Sequence, residues 1–287
     1  MPELPEIEHL RVGLEQHLVK ARLRSIVLRR SDLRWEIPQK RIEALVGSVC
    51  TRVSRRAKYL LFHLNSNPPS VLLIHLGMSG RLTIDALDDF NGLPPWKKHE
   101  HWRMQWDARK ADGLAPEYLR FVDPRRFGML DCIEEKLLGQ HRLLAHLGVE
   151  PLSEDFGKGY LFQKSRRSRS SVKAFIMNAK QIVGVGNIYA SEACFAARIQ
   201  PQRSIGELSF AECEALTETI RSTLRCAIDQ GGTTLRDYIG LDAKQGNFQH
   251  LLKVYGREGQ PCSRCSTTIK RVLLGQRSTF YCPSCQK

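Results

Sequence analysis

Residues 262–285 read CSRCSTTIKRVLLGQRSTFYCPSC, and they predict a small metal-bound module at this end of the chain. Two Cys-x-x-Cys pairs, Cys262 with Cys265 and Cys282 with Cys285, are separated by sixteen residues. Such spacing is typical of two knuckles that hold one zinc ion through four thiolates. Two disulfides are the alternative, which a reducing compartment disfavours. Because a segment this short has no sizeable core without the metal, we expect one structural Zn²⁺.

The stretch between the cysteine pairs is basic. It contains Lys270, Arg271 and Arg277, and it has no acidic residue from 266 to 281. A β-hairpin that presents arginine can enter a groove of a nucleic acid, although a solvated basic face is the alternative.

The charge of the whole chain indicates a polyanionic partner. Its 287 residues carry a formal net charge of +14 with a pI of about 9.6, which favours DNA, RNA or an anionic membrane. A basic surface without a partner would have the same composition. Residues 158–173 add six cations and no acid, a run that would attract phosphates and make binding salt-dependent.

The N-terminus lacks a basic region followed by an apolar one, so no secretory signal is predicted. Apolar runs such as 71–74 fall far short of the roughly 20 residues of a membrane span. We therefore expect a soluble, cytoplasmic protein. The cysteines outside the metal module stand in apolar surroundings and are predicted to be buried thiols. They are Cys50, Cys132, Cys194, Cys213 and Cys226.

The first half of the chain alternates short β-rich runs with turn residues. One amphipathic helix precedes them, with its apolar stripe at Ile7, Leu10, Leu14 and Leu18. The predicted strands are 23–28, 46–53, 58–64, 71–76, 81–84, 102–106 and 118–122. Many short strands at this spacing indicate a β-sandwich or barrel.

From about residue 135 the pattern becomes helical. The predicted helices are 137–147, 171–178, 188–198 and 209–230. The last begins with a capping box, Ser209 with Glu212. Residues 184–187, Gly-Val-Gly-Asn, precede a helix, so their amides could bind an anion at its N-terminus. The predicted fold class is α+β and multidomain: a β domain, a helical domain and the metal module.

Pro2 is a candidate nucleophile. Removal of the initiator methionine would leave a free secondary amine, which can add to a carbonyl-like carbon and form an iminium ion. The positive end of the following helix disfavours the ammonium form, and Glu3 and Glu6 could move protons. Acids in the first turn of a helix are, however, also ordinary partners of the helix dipole.

Six motifs in order along the chain resemble the formamidopyrimidine-DNA glycosylase and endonuclease VIII family. They are PELPEIE at 2–8, RRAKYL at 55–60, HLGMSG at 75–80, DPRRFG at 123–128, VGNIYASE at 185–192 and QRSTFYC at 276–282. The resemblance implies an N-terminal helix with a β-sandwich, a helix–two-turn–helix domain and a four-cysteine zinc finger. We expect these domains at 1–135, 136–250 and 251–287.

The resemblance also implies roles for individual residues. Pro2 would attack C1′ of the damaged nucleotide, Glu3 would donate and accept protons, and Lys58 would bind a phosphate beside the reacting sugar. Base excision would be followed by β- and δ-elimination. The implied DNA contacts are phosphate binding by His99, Asn187 and Arg277, a contact by Arg169, which stands where some relatives have lysine, and filling of the vacated base stack by Met78, Arg125 and Phe127. Residues 236–248 resemble the loop that covers the lesion.

The expected substrate is double-stranded DNA that contains oxidised purines, namely 8-oxoguanine or ring-opened formamidopyrimidines. Leu4 and Met78 favour this purine-specific branch over a glycosylase for oxidised pyrimidines. A DNA-binding protein without catalysis is the third possibility, which Pro2 and Glu3 argue against. We expect a monomer that works in the bacterial cytoplasm, associated with the nucleoid through DNA.

Overall fold

The computed structural model describes residues 2–86, 94–110, 113–233 and 246–287. The chain forms two compact units. The first contains Met1–Pro2, Glu6–Ala145 and Thr233–Gly246, and the second contains Glu3–Pro5, His146–Gly232 and Asn247–Lys287. The helices are α1 (Leu4–Leu18), α2 (Gln39–Glu43), α3 (Tyr160–Ser165), α4 (Val172–Ile176), α5 (Asn187–Ala196) and α6 (Phe210–Asp229). The strands are β1 (Arg22–Leu28), β2 (Cys50–Arg56), β3 (Tyr59–Leu64), β4 (Ser70–His75), β5 (Arg81–Ala86), β6 (Glu100–Lys110), β7 (Gly113–Val122), β8 (Met129–Glu134), β9 (Lys270–Leu274) and β10 (Arg277–Tyr281).

The first unit is built on two antiparallel four-stranded sheets, in the orders β1-β6-β7-β5 and β2-β3-β4-β8. One hydrophobic core takes side chains from both sheets and from α1, among them Leu14, Phe62 and Trp106. Trp102 stacks on Phe121 at 5.2 Å between ring centroids. The predicted sandwich and the predicted apolar stripe of α1 are both confirmed, because the pleat and the helical period each place one apolar face against this core.

The second unit has a helical core and the β9–β10 hairpin. Helices α5 and α6 pack together, and α6 begins with the predicted capping box between Ser209 and Glu212. Strands β9 and β10 pair antiparallel from Lys270 opposite Tyr281 to Leu274 opposite Arg277. A small cluster that includes Val254 supports the cysteine module.

Two predictions were wrong. Residues 137–147 do not form an α-helix: a 3-10 helix spans Glu135–Gln140 and His141 has an extended backbone. The imidazole of His141 lies 3.3 Å from a carboxylate oxygen of Asp131, so a tertiary contact outweighs the local helical spacing. Cys226 is exposed on α6, whereas Cys50, Cys132, Cys194 and Cys213 are buried as predicted.

Strand β8 and helices α2 and α3 were not predicted. The first four residues of β8 are buried, so the strand lacks the alternation by which a half-buried strand is recognised. Helices α2 and α3 are five and six residues long, too short for a clear helical period. Among the described residues, no helix is long and apolar enough to cross a membrane.

Candidate functional site

Glu3 is held by backbone amides at the start of α5. Its carboxylate is buried and accepts hydrogen bonds from the N–H of Gly186 at 2.8 Å and of Ile188 at 3.1 Å. A Cβ on Gly186 would lie 2.3 Å from Cδ of Glu3, so only glycine leaves room for the carboxylate. The predicted anion site at residues 184–187 therefore exists, and its occupant is a side chain of the same protein.

The neighbouring backbone fixes the same segment. The N–H of Leu4 donates to the carbonyl of Gly184 at 3.1 Å. Gly184 has a φ of +78°, and a Cβ there would lie 2.5 Å from a methyl carbon of Leu4. Pro2 is buried and lies two residues before α1 begins. Residues 2–4 are thus held by burial and by a backbone hydrogen bond.

Asn187 and the β9–β10 hairpin meet through one carbonyl. The side-chain amide of Asn187 donates to the carbonyl oxygen of Ser278 at 3.0 Å, and Ser278 follows the exposed Arg277. The Oδ1 atom of Asn187 is buried and accepts no hydrogen bond in the described part of the chain. Asn187 and Arg277, to which the family resemblance assigns phosphate binding, are therefore brought into one neighbourhood.

Lys173 belongs to the same neighbourhood, and the sequence did not predict this. Lys173 is one of the six cations of 158–173 that the sequence predicts to attract phosphates, yet its side chain is buried, with an exposed fraction of 1%. Its ammonium donates to Oγ1 of Thr279 at 2.9 Å and to the carbonyl of Ser278 at 3.2 Å. Burial lowers its pKa to about 8; Cys194 and Glu3 oppose the shift, and Arg277 adds to it. The burial of Lys173 and its contact with β10 could have been found only from the tertiary packing.

The four cysteines form a site that fits zinc. Their Sγ atoms all lie within 4.8 Å of one another, and none of the four is in a disulfide. The Sγ atoms of Cys262 and Cys285 are 3.9 Å apart, and those of Cys265 and Cys282 are 3.5 Å apart. Tetrahedral Zn–S bonds of about 2.3 Å place sulfurs roughly 3.8 Å apart, so the arrangement matches a closed structural site. The zinc prediction is confirmed over the disulfide alternative.

Met78 and Phe127 project from two turns that lie against each other. Both side chains are exposed, by 37% and 40%, and neither belongs to the core. Gly77 has a φ of +65°, and a Cβ there would lie 2.4 Å from the carbonyl carbon of Phe127, so the two backbones are in contact. The guanidinium of Arg125 lies 4.7 Å from the centre of the Phe127 ring.

Buried Asp123 organises this second turn. Its carboxylate accepts from the N–H of Gly128 at 2.8 Å, from the N–H of Arg125 at 3.2 Å and from Oγ of Ser79 at 2.6 Å. Its own N–H donates to the carbonyl of His99 at 2.9 Å. His99 is exposed and has a φ of +62°. The loop with His99 and the turn with Phe127 are therefore joined by hydrogen bonds.

His75, in the HLGMSG motif, makes a structural contact with the turn that follows it. Its Nδ1 accepts from the N–H of Gly77 at 2.9 Å, and its ring lies 4.9 Å from that of Tyr59. Burial lowers its pKa to about 4, with Lys58 and Arg34 acting in the same direction. A neutral imidazole therefore caps the turn that presents Met78.

The predicted site residues are divided between the two compact units. Pro2, Lys58, Met78, His99, Arg125 and Phe127 belong to the first, and Glu3, Arg169, Asn187, Arg277 and the four cysteines belong to the second. Arg169 is exposed on the segment between α3 and α4. Most of the predicted lesion-covering loop, 236–248, lies outside the described residues.

Comparisons with known proteins cover the whole chain. Three family models match: "Formamidopyrimidine-DNA glycosylase N-terminal domain" at 1–130, "Formamidopyrimidine-DNA glycosylase H2TH domain" at 147–238 and "Zinc finger found in FPG and IleRS" at 259–287. The chain is 47% identical over 287 residues to the formamidopyrimidine-DNA glycosylases of Thioalkalivibrio sulfidiphilus and Shigella dysenteriae, with all of each protein covered. Among solved structures it is similar to wild-type Lactococcus lactis Fpg with DNA containing N7-benzyl-Fapy-dG, at 30% identity, full coverage of both chains and a TM-score of 0.87. A second similar structure is MutM with DNA containing carbocyclic 8-oxo-G, at 30% identity, full coverage and a TM-score of 0.86.

Proposed function

The chain belongs to the formamidopyrimidine-DNA glycosylase family, and from this membership we propose how its residues excise an oxidised purine. It is a DNA glycosylase for oxidised purines in base excision repair, and enzymes of this family also have abasic-site lyase activity. Its partner is DNA that contains damaged bases. The roles of individual residues are our proposal.

The nucleophile in this proposal is the amine of Pro2 after removal of Met1. The nitrogen lone pair attacks C1′ of the damaged nucleotide, the bond to the base breaks, and the base leaves with the bonding electrons and a proton. The sugar ring then opens and the iminium ion forms at C1′. Loss of a proton from C2′ expels the 3′ phosphate, and a second elimination expels the 5′ phosphate.

Glu3 is proposed to move the protons of these steps. The observation that carries the proposal is its buried carboxylate, which accepts from the amides of Gly186 and Ile188 and directly follows Pro2 in the chain. Two N–H donors at a helix N-terminus favour an anion there and restrict its position. A fixed carboxylate is suited to accept a proton from the amine and to return it to a leaving atom.

Phosphate-binding side chains, and a wedge formed by Met78 and Phe127, are proposed to hold the DNA. Lys58 would bind the phosphate beside the reacting sugar, and His99, Asn187, Arg277 and Arg169 would bind further phosphates. The exposed Met78 and Phe127, with Arg125, would fill the space left by the flipped nucleotide. The phosphate contacts predict binding that weakens steeply with salt.

One structural zinc ion is held by Cys262, Cys265, Cys282 and Cys285. Four protein ligands leave no open position, so the metal supports the β9–β10 hairpin rather than the chemistry. The three-domain division at 1–135, 136–250 and 251–287 remains a prediction. So do monomeric action and work on nucleoid DNA in the bacterial cytoplasm.

The test is borohydride trapping on a duplex that contains 8-oxoguanine opposite cytosine. We expect a covalent adduct that maps to Pro2 by peptide mass spectrometry, and a much weaker one from the Pro2→Gly variant, although that variant still binds the duplex. An adduct at a lysine would overturn the assignment of the nucleophile. Trapping only on a duplex with an oxidised pyrimidine would overturn the assigned lesion class.

A further inference from the structure

Two ion pairs converge on Glu8, in the second turn of α1. Its carboxylate accepts from Nε of Arg55 at 2.8 Å and from Nε of Arg11 at 2.7 Å. The side chain of Arg55 is 11% exposed and that of Glu8 is 21% exposed, so water screens this pair less than it would a surface pair. The proposed mechanism assigns no role to Glu8 or Arg55.

Arg55 makes a second contact, with the hairpin loop that contains Lys58. Its Nη1 donates to the carbonyl oxygen of Ala57 at 2.9 Å. Strands β2 and β3 pair up to Arg56 opposite Tyr59, so Ala57 and Lys58 are the two loop residues of a tight hairpin. One guanidinium therefore joins the second turn of α1 to this loop.

The loop needs such support because its first residue is strained. Ala57 has a φ of +54°, a left-handed conformation that residues with a Cβ rarely adopt. Two-residue hairpin loops with positive φ at the first position normally have glycine, asparagine or aspartate there. Such a conformation persists where surrounding contacts over-determine it, and the bond from Arg55 to the Ala57 carbonyl is one of these contacts.

We propose that Glu8 and Arg55 are positioning residues, which fix the Ala57–Lys58 loop so that the Lys58 ammonium meets the phosphate beside the reacting sugar. This inference rests on the proposed role of Lys58. The Nε and Nη1 atoms of Arg55 bond to Glu8 and to the loop carbonyl, which orients the guanidinium on the loop, so in this proposal Arg55 acts through Lys58.

The ion pair between Glu8 and Arg55 persists at neutral pH. Burial opposes ionisation of Glu8, but hydrogen bonds and charge from Arg55 and Arg11 outweigh it and lower the pKa of the carboxyl below its ordinary value. Glu8 is therefore an anion wherever the glycosylase reaction is measured, and the guanidinium remains oriented.

The test is a double-mutant cycle on the zinc-loaded full chain, measured as single-turnover excision of 8-oxoguanine. Arg55→Gln should slow excision by about tenfold, because a small misplacement of a substrate-binding group is costly. Lys58→Met should slow it further, and the double variant should match Lys58→Met within about twofold. Losses that multiply in the double variant, or an Arg55→Gln variant as fast as wild type, would overturn the positioning role.

Two further variants separate positioning from stability. Arg11→Gln removes a cation from the same cluster, but Arg11 bonds to Glu8, Glu15 and the Val53 carbonyl rather than to the loop, so this variant should excise at nearly the wild-type rate. Arg55→Lys keeps the charge beside Glu8 without the planar fork that reaches Ala57, and it should recover only part of the loss. If Arg55→Lys fully restores the rate, the bond to the Ala57 carbonyl is not needed and the proposal fails.

DNA affinity as a function of salt gives an independent measurement. Loss of one phosphate contact should reduce the slope of log affinity against log salt by about 0.9. Arg55→Gln should reduce the slope in the wild-type background and leave it unchanged in the Lys58→Met background. A further reduction there would show a direct phosphate contact by Arg55. A wild-type excision rate for Lys58→Met would instead overturn the role of Lys58 itself, and the positioning with it.

Discussion

Glu3 and Gly186 are 183 positions apart in the chain, and the N–H of Gly186 donates to the carboxylate of Glu3 at 2.8 Å. The missing side chain of Gly186 is as important as its amide, since a Cβ would overlap the carboxylate. The VGNIYASE motif forms the start of α5, and the backbone amides there fix the carboxylate of Glu3, the proposed proton-transfer group.

We expect Gly186→Ala to slow excision by about a hundredfold, because the added methyl must displace the Glu3 carboxylate from its amide donors. Single-turnover excision of 8-oxoguanine measures this. Gly139→Ala is the control, since a Cβ at Gly139 meets nothing within 4 Å. A Gly186→Ala variant with the wild-type rate would show that the position of Glu3 does not limit the reaction.

Phe127→Ala should lower the excision rate and leave the free energy of unfolding within about 0.5 kcal/mol of wild type, since the ring is exposed. Urea unfolding and single-turnover excision, compared on the same preparation, separate the two effects. Val12→Ala removes an apolar side chain of similar exposure, 42%, and should change neither quantity. Destabilisation of Phe127→Ala by more than about 2 kcal/mol would instead indicate a core role.

His75 should make the free energy of unfolding sensitive to acid. Its folded-state pKa of about 4 lies below the unfolded value of about 6.5, so the unfolded chain binds the proton more readily. Stability is therefore expected to fall as the pH decreases from 6.5 towards 4, by up to about 3 kcal/mol from this group.

The measurement is the free energy of unfolding in urea at pH 7.5 and at pH 5. The difference between the two values should shrink in His75→Gln, which cannot take up a proton in this range. His9→Gln, at an exposed position on α1, should preserve the wild-type difference. An equal difference in His75→Gln and wild type would contradict the low pKa of His75.

Loss of zinc should weaken DNA binding. Cys282→Ser breaks the tetrad and releases the hairpin with Arg277, so we expect affinity for damaged duplex to fall about tenfold or more at physiological salt. Zinc content and affinity are measured together. Cys226→Ser, at a free and exposed cysteine, should change neither. Full zinc loss with undiminished affinity would exclude the hairpin from the DNA interface.

The sequence predicts local features well where the signal has a fixed period or spacing. The stripe from Ile7 to Leu18, the capping box of α6 and the four cysteines depend only on residues near one another in the chain. The exposure of Met78 and Phe127 was predicted only through the family resemblance, because a methionine or phenylalanine at a turn is more often buried.

Contacts between distant residues could not be predicted in the same way. In the sequence, Lys173 is one more cation of a basic run; in the structure it is buried and donates two hydrogen bonds to β10. The strained backbone at Ala57 could not be predicted from the residue type, since alanine has no preference for positive φ. The wrong helix prediction at 137–147 has the same cause. Asp131 lies outside the segment from which the helix was predicted, so its contact with His141 could not be taken into account.

By itself, the sequence determined the charge, the zinc ligands, the amphipathic stripes and the candidate nucleophile, because each depends on residue chemistry or on short-range spacing. Only the tertiary structure decided that Gly186 holds Glu3, that Lys173 and Asn187 meet at Ser278, and that Arg55 joins Glu8 to the loop of Lys58. These contacts form between residues up to 183 positions apart. Their geometry follows from the packing of whole elements, which no local pattern encodes.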